Sequence, residues 1–112
     1  MDKIVSKVAA LGVPGLVLVV AMGATGLVGA AAITAALAAL GPGGIIGGIA
    51  VLGILALLSE ALTEYGFDAI FKAVVKELIK KGESKGTILR KVEKYPISIQ
   101  LKRTLKDELE KI

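Results

Sequence analysis

The chain has 112 residues, neither Cys nor His, and a formal net charge of +4; it holds one modest core and excludes disulfides, thiolate or imidazole metal sites and a Cys nucleophile. Replacing the two Tyr by the 14 Gly in the 54% hydrophobic share gives roughly 65% apolar-plus-glycine residues, against about 45–50% in soluble domains. Only ten carboxylates remain for acid–base work, so no enzyme, no catalytic residue, no cofactor and no metal site is expected.

Charge is unevenly placed. Asp2, Lys3 and Lys7 give the start +1, Glu60, Glu64 and Asp68 give the middle −3, and residues 69–112 carry twelve Lys/Arg against six Asp/Glu, or +6. Between Lys7 and Glu60 lie 52 residues without a formal charge. A bilayer crossing takes about 20 apolar residues, so this stretch has room for two crossings and a turn. Basic residues on both flanks also favour an even number of crossings, with both termini cytoplasmic.

Within that stretch the breaks are Gly12-Val13-Pro14-Gly15, Gly23-Ala24-Thr25-Gly26 and Gly41-Pro42-Gly43-Gly44, since proline lacks an amide donor and glycine tolerates turns. Helices are expected near 3–22, 27–40 and 45–65. Lys3 and Lys7 before an apolar run also suit a signal peptide, although a noncleaved anchor or embedded helix fits better. Gly43 with Gly47 and Gly44 with Gly48 have the small-xxx-small spacing that lets helices approach closely in lipid. They are the candidate helix-packing residues and imply a homo-oligomer; in a soluble protein they would line a tight core, with 45–62 as a central buried helix. Residues 41–47 are not a phosphate loop. Their spacing is G-x-G-x-x-x-G, and "GPGGIIGG" holds neither Lys nor Ser/Thr.

The basic part begins with an amphipathic helix over 69–81. Ile70, Val74 and Leu78 with Phe71, Val75 and Ile79 form its apolar stripe, and Lys72, Lys76 and Lys80 recur on the other side. Asp68 caps or begins it and stands four residues before Lys72. Such a basic face suits anionic lipid headgroups or, more blandly, water around a docked helix. Glu60, Glu64 and Asp68 spread over two turns, where carboxylates rarely converge on one cation without further oxygen ligands, and each suits the water boundary where the apolar helix ends. Beyond Gly82, Ile88, Leu89, Val92 and Tyr95 mark a short helix stopped by Pro96, and Ser98 caps a last helix carrying Leu101, Leu105, Leu109 and Ile112. These short helices must dock to be stable. Nucleic acid is a poor partner, because Arg occurs only at Arg90 and Arg103 and no reading motif is present.

Three segments carry a resemblance: Gly12-Val13-Pro14, "LAALGPGGI" from Leu37 to Ile45, and "DAIFKAVVKELIKKG" from Asp68 to Gly82. Over about two thirds of its length the chain resembles the enterocin-type circular bacteriocins, small cationic helical globules with a saposin-like fold that permeabilise membranes. The resemblance implies that Lys72, Lys76, Lys80 and Lys81 contact headgroups. The chain departs from that group in the thirty residues after Gly82 and in its acidic trio.

The expectation is an all-α bundle of about five or six short helices, saposin-like or a membrane hairpin. Residues 1–66 form an apolar, membrane-inserting region and 67–112 a basic amphipathic one. The expected function is bilayer insertion or permeabilisation, bacteriocin-like or holin-like, on an anionic lipid membrane, with secretion if bacteriocin-like. A non-permeabilising membrane subunit and a soluble helical interaction module are the alternatives.

Overall fold

Gly12, with φ at 77°, decides the shape of the first apolar stretch. Side chains with a Cβ avoid that conformation, and Pro14 follows in the first turn, where its fixed φ and missing N–H suit a helix start. The helix expected near 3–22 is therefore two helices, α1 (Asp2–Ala9) and α2 (Val13–Gly23). The structure, a computed structural model, describes residues 1–24, 49–95 and 97–112, without the side chains of 49–52. The expected helix at 27–40 and the candidate packing residues Gly43, Gly44, Gly47 and Gly48 lie outside the described residues.

The remaining described helices are α3 (Ile49–Tyr65), α4 (Phe67–Lys80), α5 (Lys85–Glu93) and α6 (Ile99–Glu110). The protein is all-α, with six helices and no strand among the described residues. Its radius of gyration is 12.4 Å, close to the roughly 13 Å of a folded chain of this size.

At the centre stands α2. Val13 and every residue from Gly15 to Met22 are buried, as a helix apolar on all sides requires. All five other helices pack on it, α4 most extensively. One hydrophobic cluster runs from Val5 on α1 to Leu109 on α6 and joins the apolar and the basic parts of the sequence. Among the described residues the central helix is thus 13–23; of the segment 45–62 expected there, residues 45–48 lie outside the described residues and 53–62 are only partly buried. Helix α3 buries only one side, through Leu55, Leu58 and Ala61, and exposes Ala56, Leu57, Glu60 and Glu64.

At eleven residues, α2 spans about 16 Å, roughly half the hydrocarbon thickness of a bilayer. Among the described residues no helix is long and apolar enough to cross a membrane.

The basic part folds by local rules. Helix α4 ends at Gly82 (φ 102°): the Gly82 amide donates to Ile79 O and the Glu83 amide to Leu78 O, at 3.1 and 3.0 Å. This pair of bonds satisfies the last carbonyls and needs a left-handed residue at position 82. Two residues later Ser84 opens α5 with a reciprocal cap. Its Oγ accepts from the Thr87 amide at 3.2 Å, and its own amide donates to Thr87 Oγ1 at 2.8 Å. Ser98 caps α6 by accepting from the Leu101 amide at 3.1 Å. Leu101, Leu105 and Leu109 are buried as their spacing demands, whereas Ile112 is exposed.

Candidate membrane-facing surface

The lysines of α4 are positioned by the residues on its opposite side. Burial of Ile70, Phe71, Val74, Val75 and Leu78, with Phe67 and Phe71 ring centroids 5.5 Å apart, fixes the rotation of the helix. Lys72, Lys76 and Lys80 are all exposed in consequence, and Lys81 is exposed at the helix end. Lys80 pairs with Glu77 at 3.4 Å, and this exposed pair contributes little. Among the described residues, Lys72 and Lys76 have no ion pair; Asp68, four residues before Lys72, lies in the first turn, where a carboxylate favours the helix dipole. The cap position itself belongs to Gly66 and not to Asp68.

One member of the expected apolar stripe points elsewhere. Ile79 is 47% exposed and lies three residues after Lys76 and seven after Lys72, on their side of the helix. A packed stripe needs a neighbour over its whole width; the covered side of α4 runs through Ile70, Phe71, Val74, Val75 and Leu78 and stops short of Ile79. The outer face of α4 is therefore lysine interspersed with one large aliphatic group, and Ile79 belongs to that face and not to the apolar stripe expected for it.

The acidic residues are divided between two places. Glu60 and Glu64 line a groove of about 260 Å³ between α1 and α3, with Lys3 and Lys7 on its other wall, while Asp68 belongs to the next helix. No group of three or more Asp or Glu that could hold a metal ion occurs among the described residues.

A further cluster has no signature in the sequence, because its members lie on both sides of a turn. Glu83 accepts from Thr87 Oγ1 at 2.7 Å and pairs with Lys91. The Lys91 hydrogen bond, and after it that of Thr87, hold the Glu83 carboxyl below the usual range. Partial burial pushes the Tyr95 hydroxyl up. These contacts fasten α5 to the end of α4 and leave the lysine face clear. No known protein family, curated protein or solved structure matches this chain.

Proposed function

We propose that the protein is a membrane-active helical globule that docks on anionic bilayers through the outer face of α4 and then perturbs them, as the bacteriocins it resembles do. The observation that carries this reading is the face itself: Lys72 and Lys76 exposed and without ion pairs among the described residues, and Ile79 exposed beside them. Lysines attract anionic headgroups, and an aliphatic side chain among them enters the headgroup–acyl boundary. Sedimentation with vesicles tests it. The chain pelts down with phosphatidylglycerol-containing vesicles and stays in solution with purely zwitterionic ones, and binding falls as salt rises. Replacing Lys72, Lys76 and Lys80 by Gln weakens binding by up to about 1 kcal/mol per charge; unchanged binding at low salt sinks the proposal. Dye release from the same vesicles separates permeabilisation from docking as a non-permeabilising subunit.

A second reading, the soluble helical interaction module, has its own support in the burial of α2 by protein on every side. It gives a monodisperse particle without detergent and no vesicle binding.

A further inference from the structure

We infer that the groove between α1 and α3 is where two copies of this chain pair, around a two-fold axis running along the groove. This surface is separate from the lysine face of α4, and the inference is independent of membrane docking.

Three observations point to a second copy. First, the two walls carry opposite charge at the same repeat: Lys3 and Lys7 on α1, Glu60 and Glu64 on α3, each pair one helical turn apart. All four are exposed, and none forms an ion pair among the described residues. Second, the groove holds three large exposed apolar side chains, Met1 (44%), Leu57 (42%) and Tyr65 (42%). Third, the helices run in opposite directions across it. The Met1 amino group donates to Tyr65 Oη at 3.3 Å, which sets the start of α1 beside the end of α3. Lys3 is accordingly level with Glu64, and Lys7 with Glu60.

A rotation of 180° about the line of the groove exchanges its walls and keeps each level. The lysine wall of one copy then faces the glutamate wall of the other, Lys3 opposite Glu64 and Lys7 opposite Glu60, twice over by symmetry. The apolar groups of both grooves meet between the two charged rows. An isologous interface must be complementary to itself, and a surface with opposite walls at equal spacing has that property. A foreign partner would need only one matching charge pattern and gives no reason for equal repeats on both walls.

The experiment is sedimentation velocity in aqueous buffer without lipid. The unaltered chain shows a monomer–dimer equilibrium that shifts toward monomer as salt rises. Lys3→Glu with Lys7→Glu makes both walls acidic, and Glu60→Lys with Glu64→Lys makes both basic; each variant dimerises at least about fourfold more weakly, since four exposed ion pairs are lost. An equimolar mixture of the two variants regains the dimer as an all-acidic copy against an all-basic one. Helical circular dichroism of each variant alone, equal to that of the unaltered chain, establishes that folding is retained. If a variant fails to fold, Leu57→Glu gives the same reading by placing two carboxylates in the shared apolar strip. A chain that is monomeric up to its solubility limit, or folded variants whose mixture stays monomeric, overturns the inference. Failure of vesicle binding leaves it untouched.

Discussion

Gly15 shows how a single missing side chain sets the angle between α1 and α2. A Cβ built there would lie 2.0 Å from Val8 O, a backbone atom that already accepts the Leu11 amide at 3.1 Å. At Gly23 the nearest atom is instead Phe67 Cδ1 at 2.4 Å, part of a side chain, which has a rotamer freedom that a helix carbonyl lacks. Alanine improves helix propensity by up to about 1 kcal/mol, but overpacking costs about 1–3 kcal/mol and is worst against backbone that cannot move. Gly15→Ala therefore lowers the urea midpoint markedly, and Gly23→Ala changes it much less. Equal midpoints for the two variants would show that α1 can slide away from α2. The sequence marks Gly12 to Gly15 as a break because Gly and Pro cluster there. It does not separate the glycine that turns the chain from the one over which a helix crosses, since that depends on the position of Val8 O.

Element by element, the basic part was the more legible. Its helices obey local signals: a four-residue apolar repeat in α4 and α6, Pro96 after α5, and Ser98 at the cap of α6. In the apolar part nearly every residue is hydrophobic, so no periodicity tells a buried face from a lipid-facing one, and the division into α1 and α2 and the central place of α2 came from packing. The candidate lysines lay on the exposed face that their spacing implies, whereas Ile79 did not join the core. The junction of α4 and α5 carries a prediction that spacing alone could not give. The Glu83 carboxyl titrates below its unfolded value because Lys91 and Thr87 bind its ionised form. A depressed carboxyl stabilises the fold above its unfolded pKa, and that contribution disappears as pH falls through the lower folded value. Glu83→Gln is therefore less stable than the unaltered chain at pH 7, and the difference in melting temperature closes on acidification below the normal carboxylate range. A constant difference down to pH 2 would assign the loss to packing instead. Ser84→Ala, which removes one half of the neighbouring cap, costs about 1 kcal/mol at every pH.

At the scale of the whole molecule, the core helix and the proposed membrane activity compete for the same side chains. The most apolar described segment, α2, is enclosed by five helices, and α2 reaches lipid only if they part. Docking through α4 needs no such opening, because the lysines lie outside the folded bundle. Binding and permeabilisation therefore respond differently to the stability of the core. Leu16 is fully buried at the centre of α2, and Leu16→Ala costs about 2–5 kcal/mol in transfer energy and cavity. The population of opened molecules rises by a large factor, while the charge and shape of the α4 face are unchanged. Leu16→Ala should then release dye from anionic vesicles faster at the same bound amount, and Lys72→Gln with Lys76→Gln should lower the bound amount without altering release per bound molecule. Unequal effects in those directions assign insertion to an opened globule. Release that ignores the Leu16 substitution means that the closed bundle disturbs the bilayer from its surface, with α2 remaining a core helix throughout.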